Sequence, residues 1–240
     1  MRAFIQADKQ GIPKNYNIFC AFQGFREMGI EIILFSDIEK LQESKREDIV
    51  VGYLSVVRGR LQQFNIDTPD IDYPDEINNY LKRKIWKTKI NTTNSNPQLW
   101  LVFVKLKDEK KFIGTVIRST KDLIGLGSCY DNAEIWCSEV LDILAEWRVF
   151  VRYGKIIDIR LYKGDWHQHY DAQIIEQCVK AYKSAPSAYA VDFGITAQGE
   201  TILIEVNDAY SLSCYGLFYI DYAKLLLARW AELTGTEDLL

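Results

Sequence analysis

Residues 189–208 read YAVDFGIT, AQGE, TILIEVND, two strands with a short reversal between them. In the first, Tyr189, Val191, Phe193 and Ile195 fall on one face and Ala190, Asp192 and Gly194 on the other, because side chains alternate along a strand. In the second, Leu203, Glu205 and Asn207 share a face opposite Ile202, Ile204 and Val206. A two-residue turn at Gln198-Gly199, or a four-residue one around it, sets Asp192 directly across from Glu205, with Asn207 one diagonal step away. Two ionised carboxylates about 5 Å apart repel by about 3 kcal/mol at an effective dielectric of about 20, so a positive charge must compensate them. A divalent cation is the simplest compensation. Asp, Glu and Asn are hard oxygen donors, which suit Mg²⁺ or Mn²⁺ better than zinc. The small Ala190 and Gly194 would leave that face uncovered. The same pattern also fits the solvated side of an ordinary hairpin.

Outward from this hairpin, a second one carries the opposite charge. Over Ala145–Arg152, Glu146, Arg148, Phe150 and Arg152 share a face, and over Lys155–Tyr162 so do Ile156, Asp158 and Arg160. A three-residue turn with Gly154 in the left-handed position brings Arg148 and Arg160 onto one side, near Glu146. Paired arginines hold phosphate or carboxylate oxygens well, and they equally form surface ion pairs with Glu146 and Asp158. Farther upstream, Lys105 ends the apolar strand Leu99–Lys105 and Lys111 begins the next. A lysine there can reach a ligand phosphate or simply finish a strand in water.

The N-terminal segment differs in texture. Strand signals at Met1–Gln6, Glu31–Phe35 and Asp48–Tyr53 alternate with helices at Tyr16–Met28, after the capping box Ser36–Glu39, and at Ser55–Phe64, which predicts a small parallel α/β unit. The proline- and aspartate-rich Asn65–Pro74 reads as a linker, followed by a helix over Asp75–Trp86. From Leu99 onward strands join as hairpins, interrupted by helices Asp171–Ser184 and Tyr219–Leu233, so the fold class is α/β followed by α+β. The 240 residues are 48% apolar, enough for a real core. Net charge is −4, which argues against nucleic acid or an anionic membrane as partner. No signal peptide or spanning segment is evident, so a soluble cytoplasmic chain is expected. Five cysteines without a CxxC pair suggest reduced, buried thiols, and His167 and His169 read as a solvated loop.

The order of these pieces resembles the ATP-grasp superfamily over about residues 99–233. The matching segments are Phe103-Val104-Lys105, Ser138-Glu139-Val140-Leu141-Asp142, Glu146–Val151, Asp192-Phe193-Gly194 and Glu205-Val206-Asn207-Asp208. EWRVFV, YKGD and EVND are similar to a compact branch found in bacterial and phage genomes. The resemblance implies a pre-ATP-grasp domain at 1–72 and an ATP-grasp domain at 73–240, with a lid subdomain at about 98–142. It implies that Lys105 and Lys111 hold nucleotide phosphates, that Glu139 and the backbone of Val140 and Leu141 face adenine, and that Glu146 binds ribose. Asp192, Glu205 and Asn207 would carry Mg²⁺. Arg148, Arg160 and Lys163 would act catalytically by neutralising the γ-phosphate and an acyl phosphate made from it. The proline that often follows the phosphate lysine is Leu106 here, the lid shrinks to Lys111-Phe112-Ile113-Gly114, and an earlier phosphate lysine has no clear match among Lys82, Lys84, Lys87 and Lys89.

The activity so implied is an ADP-forming, Mg²⁺-dependent carboxylate–amine ligase acting on ATP and on an amino acid, peptide or protein. Two other classes stay open. One is an ATP-binding regulatory or phosphotransfer module without ligase turnover. The other is a lysine-adenylating nucleotidyltransferase, for which KxxG at 111–114 is the only signal.

Overall fold

In the computed structural model, which describes residues 1–107, 114–126 and 132–240, the chain forms two compact units. The first combines residues 1–80 with 143–240, and the second is 81–142. Lys111 lies outside the described residues, as do Cys129 and most of the shortened lid.

The first unit opens with β1 (Arg2–Gln6), α1 (Tyr16–Glu27), β2 (Glu31–Phe35), β3 (Ile49–Val51) and α2 (Leu54–Gln63). These strands form a parallel sheet in the order β2-β1-β3, as the alternation of strand and helix requires. Asn15 caps α1 by accepting the amide of Ile18 at 3.0 Å. Gly29, with φ +76°, takes the left-handed turn that ends the helix. After β2 the expected capping box is not the one used. Asp37, not Ser36, accepts the amide of Glu39, and the segment Ile38–Glu43 is a 3₁₀ helix.

The second unit holds β4 (Ile85–Lys89), the short α3 (Ile90–Asn94), β5 (Val102–Leu106), β6 (Thr115–Ile117) and β7 (Glu134–Glu139), in an antiparallel sheet ordered β4-β7-β5-β6. The helix expected over Asp75–Trp86 stops as a 3₁₀ turn at Tyr80. Lys82 adopts φ +51°, and Ile85–Lys89 pairs with β7 instead. Trp86 thereby packs against the apolar core of Ile90, Val102, Val104, Ile117, Ile135 and Cys137, a burial that outweighs local helix propensity.

The chain then returns to the first unit with β8 (Ile143–Arg152), β9 (Lys155–Gly164), α4 (Ala172–Ala181), β10 (Ala188–Thr196), β11 (Thr201–Asp208) and α5 (Tyr219–Thr234). Its second sheet is antiparallel, ordered β11-β10-β8-β9, and every residue of β10 is buried. One continuous core joins Phe4, Phe25 and Leu61 of the N-terminal segment to Phe150, Tyr222 and Trp230. Gly24 lets α1 and α5 meet closely, because a Cβ there would strike the Tyr219 carbonyl and sit 2.8 Å from the Cβ of Ala223. Cys20, Cys137, Cys178 and Cys214 are buried free thiols. Among the described residues no helix is long and apolar enough to cross a membrane.

Candidate active site

The geometry is set by two irregular hairpins. In β10–β11, Asp192 does pair with Glu205, and Ala190 with Asn207. The turn, however, is a three-residue one. Thr196 donates to the Glu200 carbonyl at 3.0 Å, and Gly199 adopts φ +78°. Such a turn alone would put every pairing one residue off. A bulge between Asp192 and Phe193 restores the register, with Ile204 as the extra residue between Leu203 and Glu205. Ile204 then turns toward Gly194, where its Cδ1 and the Cγ2 of Ile143 fill the space a Cβ would occupy. Gly194 is thus packed over, which corrects the expectation of an uncovered acidic face.

The second hairpin follows the same logic. Its turn has two residues, Tyr153 and Gly154, both in the left-handed region at φ +49° and +69°, instead of the expected three. A bulge between Phe150 and Val151 again corrects the register, so that Arg148 lies directly opposite Arg160.

Because β8 lies between β10 and β9, Arg148 also faces Asp192. Its Nε donates to Asp192 Oδ1 at 2.7 Å and its Nη2 to Oδ2 at 2.6 Å, a two-pronged bond between side chains that are 6% and 1% exposed. The compensation that Asp192 requires therefore comes first from Arg148. The Asn207 amide donates to Asp192 Oδ2 at 3.1 Å and to Glu205 Oε1 at 3.2 Å, which turns its Oδ1 away from both carboxylates. Glu146 accepts from the Tyr162 hydroxyl at 2.7 Å and pairs with Lys163 at 2.5 Å. Arg160 pairs with Asp158 at 2.6 Å on the half-exposed side of β9.

Electrostatics follow burial. Loss of water pushes the Asp192 carboxyl up to about 6, against the downward pull of Arg148, and Glu205 and Glu146 add to the rise. The Arg148 guanidinium, although burial opposes its charge, is held above its usual value by Asp192. Burial and the charges of Asp192 and Glu146 push the Tyr162 phenol far up. Above about pH 6, then, Asp192 and Arg148 form a charged pair.

Two tyrosines, Tyr162 and Tyr215, line the same corner. Their rings stack in parallel at 4.7 Å, and the Arg148 guanidinium carbon lies 4.8 Å from the Tyr215 centroid and 5.6 Å from that of Tyr162. The carbonyl of Ser213 accepts from Arg148 Nη1 at 3.4 Å. The signal for this corner was Gly216, whose φ of +83° follows the left-handed Tyr215.

In the second unit, Lys87 and Lys105 both pair with Trp136, forming a row across β4, β7 and β5 on the face away from the core. The ammonium of Lys87 lies 4.3 Å from the Trp136 ring. Glu139 ends β7, where its carboxylate accepts the backbone amide of Lys84 at 2.8 Å, and Val140 and Leu141 follow it, half-buried.

The donors Asp192, Glu205 and Asn207 fit a hard cation. They share one sheet face, and a carboxylate with about four acceptor positions can serve Arg148 and an ion together. Asn207 would complete the set by turning its amide so that Oδ1 meets the ion, since in this structure the amide nitrogen faces both carboxylates.

Comparison with known proteins bears on the family and the fold. The family model described as "ATP-grasp domain, R2K clade family 2" matches residues 80–225. A search of curated proteins returns no match. Among solved structures, the D-cycloserine synthetase DcsG is similar with a TM-score of 0.60 at 11% identity, over 96% of this chain and 100% of that one. D-alanine–D-alanine ligase from Bacillus anthracis follows with 0.57 at 12% identity, over 98% and 99% of the two chains. N5-carboxyaminoimidazole synthetase from Staphylococcus aureus, complexed with ADP, gives 0.58 at 13%, over 98% of this chain and 77% of that one. At such identities these likenesses concern the fold, whereas the family model spans more than half of the chain. By that match the chain belongs to the family described as ATP-grasp domain, R2K clade family 2.

Proposed function

We propose that this protein is an ATP-dependent ligase that joins a carboxylate to an amine and releases ADP and phosphate. The observation that carries the reading is the placement of Asp192, Glu205 and Asn207 on one face, within the region matched to the ATP-grasp family. Mg²⁺, held by these three residues, would neutralise charge on the transferred phosphoryl group. A substrate carboxylate oxygen attacks the γ-phosphorus, and the bond to the β,γ-bridging oxygen breaks, giving an acyl phosphate and ADP. The amine then attacks the acyl carbon, loses a proton and expels phosphate.

No side-chain nucleophile is needed, so the protein's work is positioning and charge stabilisation. Arg160 and Lys163, paired with Asp158 and Glu146, are the cations suited to the γ-phosphoryl oxygens and to the oxyanion of the second step. Arg148, locked to Asp192, orients that carboxylate. In the second unit, Lys105 would hold phosphate, and the row through Trp136 makes Lys87 the best candidate for the earlier phosphate lysine. Glu139, Val140 and Leu141 would face adenine, and Glu146 the ribose. The division into a pre-grasp segment at 1–72 and a grasp domain at 73–240 belongs to the same proposal.

The test is ADP formation with Mg²⁺ and ATP against pooled amino acids and short peptides. ADP should appear only with a competent acid and amine, and Asp192→Asn or Glu205→Gln should abolish it in proteins that remain folded. AMP as product would overturn the reading, and undiminished turnover in both variants would remove the metal role.

A further inference from the structure

We infer that Asn17, in the first turn of α1, is a positioning residue for Arg148. The corner that touches the Arg148 guanidinium belongs to the segment 209–218, through the Ser213 carbonyl and the Tyr215 ring. This segment is not regular structure. Tyr215 is left-handed at φ +43°, a strained conformation for a non-glycine residue, which persists only when neighbours over-determine it. From below, the buried Tyr222 hydroxyl donates to the Leu212 carbonyl at 2.6 Å. From the side, the constraint comes from a residue almost two hundred positions away. Asn17 Oδ1 accepts the Cys214 amide at 3.0 Å, and Asn17 Nδ2 donates to the Ser213 hydroxyl at 3.4 Å.

One side-chain amide thus uses its acceptor and its donor on two consecutive residues, directly before Tyr215. That arrangement fixes the peptide whose carbonyl meets Arg148, and it aims the backbone that carries the Tyr215 ring. A hydrogen bond at either half alone would allow the segment to pivot. Asn17 also lies outside residues 80–225, the part matched to the family domain. It sits just beyond the loop that leaves β1, the central strand of the parallel sheet. The N-terminal segment is therefore tied to the reactive corner by a defined contact as well as by shared core packing.

The consequence for turnover rests on the proposed ligase activity, but the geometric claim does not, and the experiment separates them. In full-length protein labelled with ¹⁵N-arginine, the Arg148 Nε–H signal is identified by its loss in Arg148→Lys, and its exchange with water is measured. Asn17→Ala should speed that exchange about fivefold, the factor one neutral hydrogen bond is worth. Ser213→Ala, which removes only the hydroxyl half, should shift it less and in the same direction. Asn17→Asp keeps the acceptor for Cys214 and can accept from the Ser213 hydroxyl, so it should restore slow exchange. ADP formation should fall in Asn17→Ala through kcat at unchanged KM for ATP, and recover in Asn17→Asp. An unmoved Arg148 signal in both alanine variants, or an Asn17→Asp protein no better than Asn17→Ala, overturns the inference. Should Asn17→Ala fail to fold, Ser213→Ala and Asn17→Asp decide the matter by the same signal. A wild-type protein that forms no ADP while its Arg148 exchange still responds to Asn17 refutes the ligase reading and leaves the positioning role standing.

Discussion

Replacing Arg148 by methionine isolates the interaction on which the site's interior depends. The substitution roughly keeps the apolar volume of the side chain but strands Asp192, which is 1% exposed. Two unit charges about 4 Å apart interact by about 4 kcal/mol at an effective dielectric of about 20, and removing one partner of a buried pair costs about 3–5 kcal/mol. The size of the loss should depend on pH, and its sign follows from Asp192. Its folded-state value, about 6, is raised above the ordinary 3.8. This carboxyl therefore contributes stability that is fully present in acid and is lost as pH rises through 6. Without Arg148, which lowers it, the value climbs further, and that loss extends to higher pH. At pH 8 the variant should be less stable than wild type by about 3–5 kcal/mol. At pH 5 both proteins carry a largely neutral Asp192, and the difference should shrink to about 1–2 kcal/mol from lost hydrogen bonds and packing. Urea unfolding at the two pH values reads this directly, and Asp192→Leu in the same background should recover most of the pH 8 deficit. Equal losses at pH 5 and pH 8, with no recovery in the double variant, would refute the claim that the pair is an electrostatic unit.

Three further outcomes follow from local geometry. Gly164→Ala should destabilise by about 1–3 kcal/mol, seen as a fall in Tm of about 2–4 °C per kcal/mol, because φ is +91° and a Cβ would strike the Leu144 carbonyl. Gly24→Val should cost about 1–3 kcal/mol in urea unfolding by forcing α1 from α5, whereas the open positions Gly29→Asn and Gly199→Asn should be nearly silent. Tyr162→Phe should leave the ultraviolet titration of phenolate unchanged up to about pH 11, since burial and the charges of Asp192 and Glu146 keep this phenol protonated there; a missing ionisation below that pH would show it to be solvated.

Strand alternation made the two hairpins and the Asp192–Glu205 pairing readable, because a strand with one buried face specifies its own register. That pairing was reached through two errors that cancel. The turn has three residues where two or four were expected, and the bulge at Ile204 absorbs the difference. Bulges leave no clear trace in an apolar strand, since Leu203-Ile204 reads the same with or without one. The segment 75–86 was misjudged because its helical propensity is local while its pairing partner, β7, lies some fifty residues ahead. The Arg148–Asp192 bond was hidden for another reason. Both residues were candidates, but only the sheet order, with β8 between β10 and β9, makes them neighbours. Asn17 was invisible altogether, because its partners are a loop hydroxyl and a backbone amide with no periodicity to mark them.

The distribution of bulges has a mechanical meaning. Between each turn and the polar cluster lies one register shift, at Asp192/Phe193 in one hairpin and Phe150/Val151 in the other, and a third at Glu146/Trp147 sets Glu146 across from Lys163. Within Trp147–Phe150 the ladder is regular, and that stretch carries Arg148 opposite both Arg160 and Asp192. A bulge bends its strand and increases the local twist, so a side chain beyond it points where uniform pleating would not send it. Here the bends allow turns of unequal length, two residues and three, to deliver their cations and carboxylates to one place. The site is therefore specified by each turn together with its bulge and by the bond between Arg148 and Asp192. A turn one residue longer or shorter would need a compensating shift to keep these charged groups in place, and in the proposed ligase that fixed spacing is what handling phosphoryl charge by position requires.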